Sequence, residues 1–281
     1  MKKIIHIAFM FVLAFSTLSA QAQSDAMSEY WKDTYFSDTT LISSKAFSDQ
    51  LVGFFFSFTD GDEQRFDSLS IVGLGFVLDK AKVNMRMYEY ILEFALNGYS
   101  AMGRDRVTDY LLNYPKLAEG EISMEEGLRL DSITEPYQKV KVGAKVPDFS
   151  GVAIDGKPYH LYDSKAKSII VVFWSTDCEY CHDFLVQMRK NLDLKSDFEL
   201  VTFALAEDKD AVTQTVKKMR LPGYHFYDDL RWEGKAFLDF HVTSTPTVFL
   251  VDADKTIVCK PYDWEELKNW LRKKTNKSIE K

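Results

Sequence analysis

Two cysteines, Cys178 and Cys181, stand in a C-x-x-C pair, and a third, Cys259, stands apart. Thiolates three residues apart can form a reversible disulfide, hold a soft metal ion or anchor a c-type haem. The residue after the pair is His182, so the same stretch also spells C-x-x-C-H, the haem-attachment pattern. A metal site would pair Cys178 and Cys181 with a distant histidine such as His241. The spacing of His160, His225 and His241 demands no such site, and each is expected at the surface or at a sheet edge. His182 is expected as an exposed residue in the first turn of a helix, and Cys259 as a small buried apolar residue.

The elements around the pair favour redox chemistry. Ile169 to Trp174 is a continuous β-branched and aromatic run, as a strand buried on both faces requires. Helical spacing follows from Tyr180 to about Leu192. The first cysteine then sits where free backbone N–H groups and the helix dipole stabilise an anion. Its thiolate would attack disulfides, and Cys181, one turn deeper, would reach the Cys178 sulfur. Far off in sequence, Thr245-Pro246 precedes a strand running from Thr247 to Val251. Proline cannot donate to a sheet ladder, so it belongs at a strand's first residue. We expect a cis Thr245–Pro246 bond facing the cysteines.

The rest of the second half reads as an opening hairpin turned at Asp155-Gly156, a strand at Phe198–Ala204 and a helix around Asp208–Met219. The strands Thr247–Val251 and Thr256–Cys259 form a closing pair, followed by a helix at Trp264–Lys273. The fold class is α/β, a thioredoxin fold with a central mixed sheet flanked by helices, preceded by an all-α domain. The divisions are 1–22, 24–140 and 142–281.

The segment Val172-Phe173-Trp174-Ser175-Thr176-Asp177-Cys178-Glu179-Tyr180-Cys181 resembles the active-site strand and turn of exported bacterial thioredoxin-like reductases of the ResA and TlpA type. Val146-Pro147-Asp148-Phe149 and Thr245-Pro246-Thr247-Val248-Phe249-Leu250-Val251-Asp252 are similar to that family's opening hairpin and cis-proline strand. The resemblance implies thiol–disulfide exchange by catalytic Cys178 and Cys181, usually as a reductant. It implies substrate positioning by Thr245, Pro246 and Trp174, and modulation of the turn by Glu179 and Tyr180. It also implies protein disulfides as substrates, apocytochromes among them, a membrane thiol relay as electron donor, and no metal or other cofactor. Thioredoxin's buried acid is replaced by Val172, leaving Glu207 or a water as proton acceptor for Cys181. The pattern of a thiol peroxidase is met at Ser175 but fails at Val171.

The first half, from Ser24 to Tyr137, is helical in pattern. Phe47, Leu51, Phe54, Phe55 and Phe58 mark one face of a helix, and Phe54-Phe55-Phe56 suits a core better than a binding surface. Helices are expected over Asp62–Lys82, over Met85–Asn97 with Gly98 as C-cap, and around Arg104–Asn113 and Ser123–Leu130, with Pro115 and Pro136 as breaks. Tyr30-Trp31 and Phe36 to Leu41 resemble a helical domain found ahead of such reductases. As an alternative, this half could be the functional module, binding a partner protein.

Lys2 and Lys3, the apolar run Ile4–Leu18 and Ser19-Ala20-Gln21-Ala22 have the order of a secretory signal peptide. Its removal takes two lysines and no acids from a net charge of −7, leaving −9. That balance argues against nucleic acid or an anionic membrane as partner. The expected compartment is periplasmic or otherwise exported, with a soluble mature chain.

Overall fold

The computed structural model describes residues 20–58, 62–114, 122–192 and 198–279. The expected signal peptide, except for Ala20-Gln21-Ala22 at the start of the first described helix, and the break expected at Pro115 lie outside them. The chain divides into two compact units, residues 1–100 with 104–134, and 101–103 with 135–281. No described helix is long and apolar enough to cross a membrane.

The first unit is built on α1 (Ala20–Tyr30), α2 (Lys45–Phe56), α3 (Glu63–Ala81), α4 (Met85–Ala101) and α5 (Asp105–Asn113). Asp62 caps α3 by accepting the Arg65 N–H at 3.0 Å, which satisfies one of the orphan donors at that helix end. Trp31 organises the core: its ring lies 5.1 Å from Phe54 and 5.5 Å from Phe36. Phe47, Leu51, Phe54, Phe55 and Phe58 are all buried, whereas Phe56 faces solvent at 53% exposure. The triple-phenylalanine run is therefore two core residues and one surface residue, as helical periodicity demands.

Two boundaries differ from expectation. Gly98 does not end its helix: α4 runs on to Ala101, and the buried Tyr99 ring, 5.7 Å from Phe55, holds that last turn in the core. The helix expected at Ser123–Leu130 is α6 (Met124–Lys139), and it continues through Pro136. Burial of Leu130, Thr134 and Tyr137 favours continuing past the donor that proline removes.

The second unit holds β1 (Ser150–Val152), β2 (Pro158–His160), β3 (Ser168–Ser175), α7 (Glu179–Asn191), β4 (Glu199–Leu205), α8 (Lys209–Met219), β5 (Tyr224–Tyr227), α9 (Lys235–Asp239), β6 (Thr247–Asp252), β7 (Ile257–Cys259) and α10 (Trp264–Ile279). The closing helix is thus longer than expected, and β5 and α9 are additions. β1 and β2 form an antiparallel hairpin, turned at Gly156 with φ +87°.

The main sheet has the order β5-β4-β3-β6-β7, with β4 and β5 parallel and β6 antiparallel to their neighbours. β3 is central. Its odd residues Ile169, Val171 and Phe173 enter one core layer, and its even residues Ile170, Val172 and Trp174 enter the other. Phe173 stacks on Phe203 at 4.8 Å and meets Phe237 and Phe240 edgewise or tilted at 5.0 and 5.1 Å. The opposite layer is closed by Phe184, Leu185 and Met188 of α7, Val212 of α8 and Leu267 of α10. Both sheet edges are covered. Ile154 N–H donates to His225 O on β5, and Gly143 N–H to Ile257 O on β7.

Candidate active site

β3 emerges from the sheet at Ser175, and the chain must turn at once to start α7. Three bonds hold that turn. Thr176 N–H donates to Leu205 O at 3.0 Å, Asp177 N–H to Ser175 Oγ at 3.3 Å, and Cys178 N–H to Ser175 O at 3.2 Å. Cys178 then has extended backbone and serves as the N-cap of α7, its Sγ accepting the Cys181 N–H at 3.1 Å. The two cysteines are joined in a disulfide of 2.07 Å.

Cys178 is half-buried, while Cys181 is fully buried among the apolar residues of the α7 layer. An incoming group therefore meets the first sulfur before the second. The register Phe173↔Thr247 sets the start of β6 beside the end of β3. The peptide bond Thr245–Pro246 is cis, and the Thr245 carbonyl oxygen lies 3.7 Å from Cys178 Sγ. A carbonyl there faces the attacking sulfur, with Thr245 and Pro246 both half-exposed around it. Glu179 and Tyr180 stand out from the turn, Tyr180 at 84% exposure.

Several other expected residues lie elsewhere or in other surroundings. Trp174 is completely buried beneath the turn, so it supports the site from below and offers no surface to a substrate. Val172 is equally buried. Glu207 is exposed on the turn after β4. His182 is half-buried rather than exposed. Its ring meets Trp174 edgewise at 6.1 Å, and its Nε2 is buried without a hydrogen-bond partner. Trp174 Nε1 is likewise buried and unpartnered.

Among the other described histidines, His160 stands partly exposed and His225 lies on the edge strand β5, as expected of a surface or sheet-edge position. His160 stands between Asp148 at 2.8 Å and Asp163 at 2.9 Å, and those bonds raise its pKa above the ordinary imidazole value. His225 is buried on β5, where Nε2–H donates to Leu221 O and Nδ1 accepts from the Thr202 hydroxyl. Burial lowers its pKa. His241 is half-buried at φ +47°, edge-on to Tyr137 at 4.2 Å, and burial and then Lys260 lower its pKa. Cys259 is buried on β7 among apolar neighbours. No group of three or more His, Cys, Asp and Glu side chains among the described residues is arranged to hold a metal ion.

A buried parallel strand that feeds a C-x-x-C at a helix N-terminus, facing a cis-proline strand, defines the thioredoxin-like class. Comparison with known proteins agrees. Residues 141–266 match the Redoxin family. The thiol-disulfide oxidoreductase ResA of Bacillus thuringiensis subsp. konkukian is 27% identical over 143 residues, which is 49% of this chain and 81% of that protein. The thioredoxin-like protein YneN of Bacillus subtilis is 25% identical over 128 residues, 43% of this chain and 74% of its own length. A crystal structure of a thioredoxin-like protein from Bacteroides caccae covers 91% of this chain and 94% of its own, with TM-score 0.55 and 16% identity. That likeness spans both units and speaks for the fold. The chain is a thioredoxin-like thiol–disulfide oxidoreductase with a helical unit in front.

Proposed function

We propose that the chain works outside the cytoplasm as a reductant of protein disulfides, exchanging thiols through Cys178 and Cys181. The observation that carries this reading is the asymmetry of the pair: a half-buried sulfur at a helix N-cap and a fully buried one a turn behind it. The Cys178 thiolate attacks one sulfur of a substrate disulfide. The substrate's S–S bond breaks, its first thiolate leaves and takes a proton, and a mixed disulfide remains on Cys178. Cys181 then attacks the Cys178 sulfur, forming the 178–181 disulfide and releasing the second substrate thiol. Two electrons have passed to the substrate. A membrane thiol relay restores the dithiol.

The reducing direction is supported by Asp177 and Glu179, both exposed beside the attacker. Negative charge there disfavours a thiolate, and a disfavoured thiolate makes the oxidised form the preferred one. Export is supported by the order of residues 2–22. Exported proteins with transient or wrong disulfides, including apocytochromes awaiting haem, are the substrate class, and no metal or other cofactor is required. The mature protein should accelerate the reduction of insulin by dithiothreitol. A wild-type chain that gives no acceleration under conditions where thioredoxin does would contradict the reading.

A further inference from the structure

Two polar atoms beneath the dithiol are unexplained by the fold. Trp174 Nε1 and His182 Nε2 are both buried and without partners, their rings in edge contact. Buried polar groups are almost always hydrogen-bonded, so such a pair calls for a reason. The two residues bracket the attacking cysteine. Trp174 lies near the end of β3, four residues before Cys178, and His182 lies four residues after it. Its backbone N–H donates to Cys178 O at 3.1 Å, which places it one helical turn on. Side chains four apart on a helix have Cβ atoms about 6 Å apart, and each leans toward the N-terminus. His182 thus stands one turn beyond the N-cap Cys178, with the Trp174 ring against its imidazole.

We propose that His182 is the proton-holding partner of Cys178: when the disulfide opens, its buried Nε2 takes the thiol proton and then donates that N–H to the thiolate. This inference rests on the exchange reading above and deepens it. The step moves one proton and no electrons. Cys178 S–H and neutral imidazole become thiolate and imidazolium, and the proton later leaves on the first substrate thiolate. In the disulfide the sulfur has no proton to give and no charge to receive one, so Nε2 stands idle.

The local charges show why such a partner is needed. Asp177 precedes the N-cap, and Glu179 and Asp183 lie with His182 at the start of α7, all three acids exposed. Glu207 and Asp208 lie on the turn after β4, which anchors the site through Leu205 O, with Lys209 next in sequence. From β6 the facing group is the neutral Thr245 carbonyl. Negative charge in these surroundings disfavours a thiolate. A cation at His182 offsets them and keeps the sulfur an attacker.

The test is the pH profile of Cys178 alkylation by iodoacetamide in the full chain carrying Cys181→Ser, with and without His182→Gln. An opposite charge within 4–6 Å shifts a titration by roughly one to three units. Loss of His182 should therefore move the profile upward by about one unit and slow alkylation at pH 7 about tenfold. His182→Lys should restore much of the lost reactivity. In the dithiol protein His182→Gln should make the couple more reducing, by about 30 mV for a tenfold change in equilibrium constant. A purely structural role would lower the rate without moving either the profile or the potential. As a check on the unmutated chain, the Nε2 nitrogen resonance of His182 should move on reduction. An unchanged alkylation profile in His182→Gln, or an Nε2 resonance blind to redox state, overturns the proposal. Insulin reduction that survives Cys178→Ser would instead overturn the exchange reading itself.

Discussion

Replacing Cys178 by serine and by alanine separates the two tasks the sulfur performs. As nucleophile it is irreplaceable in either variant. As N-cap it accepts the Cys181 N–H at 3.1 Å, and a serine Oγ can take over that bond while alanine cannot. Serine ranks among the best N-cap residues, and exchanging a good cap for alanine costs about 0.5–2 kcal/mol. The disulfide must be kept out of the comparison. Closing so short a loop contributes about 2 kcal/mol in the chain-entropy treatment, enough to mask the cap. All three proteins are therefore unfolded in urea in the presence of dithiothreitol. Cys178→Ser should match or slightly exceed reduced wild type, and Cys178→Ala should fall about 1 kcal/mol below Cys178→Ser. Both should be inert in insulin reduction. Equal stability of the serine and alanine variants would refute the capping geometry, and residual exchange in either would refute Cys178 as attacker.

Acid should weaken the second unit through His225. Burial holds its folded-state pKa below the ordinary value, so the unfolded chain takes up the proton first. Stability is complete above about pH 6.5 and falls below it, by up to about 1.4 kcal/mol per pH unit. His225→Phe should flatten that slope in urea titrations from pH 7.5 to 5, and an unchanged slope would assign the effect elsewhere. Gly223→Ala should cost about 2 kcal/mol or more, because φ is +102° and a Cβ would sit 2.1 Å from Leu200 O; a neutral change on thermal melting would contradict the backbone described. Phe173→Ala should cost about 3–5 kcal/mol, since its ring is fully buried and flanked by those of Phe203, Phe237 and Phe240.

Much of the second unit was legible because its signals are local and strong. The run Ile169–Trp174 can be satisfied only by a strand covered on both faces, and the alternation within it already assigns Trp174 to the same side as Val172. Asp155-Gly156 dictated the hairpin, and the helices expected from Asp62 and Asp208 begin there, with those two side chains as their N-caps. What failed was tertiary. Gly98 looks like a helix end until Tyr99 finds Phe55, and Pro136 like a break until Tyr137 is buried. Strand β5 is only Tyr224–Tyr227, too short for a period to show, and it exists because β4 offers it a parallel ladder. At the site, the cysteine pair and Thr245–Pro246 were readable from sequence. The buried, partnerless Nε2 of His182 was not, since helical spacing alone leaves a first-turn residue in solvent. The spacing of four on either side of Cys178, with a tryptophan before and a histidine after, was the signal available.

The most direct test of thiol exchange is trapping with Cys181→Ser. In that variant Cys178 can attack but the mixed disulfide has no internal thiol to resolve it. Expressed as the full chain in its own host, the variant should accumulate proteins joined to Cys178, released by dithiothreitol and lost when Cys178→Ser is added. Their identity would name the substrates. If Cys181→Ser holds no protein while Cys178→Ser does, attacker and resolver are reversed; if neither holds any and both retain full activity, the chain does not work by thiol exchange.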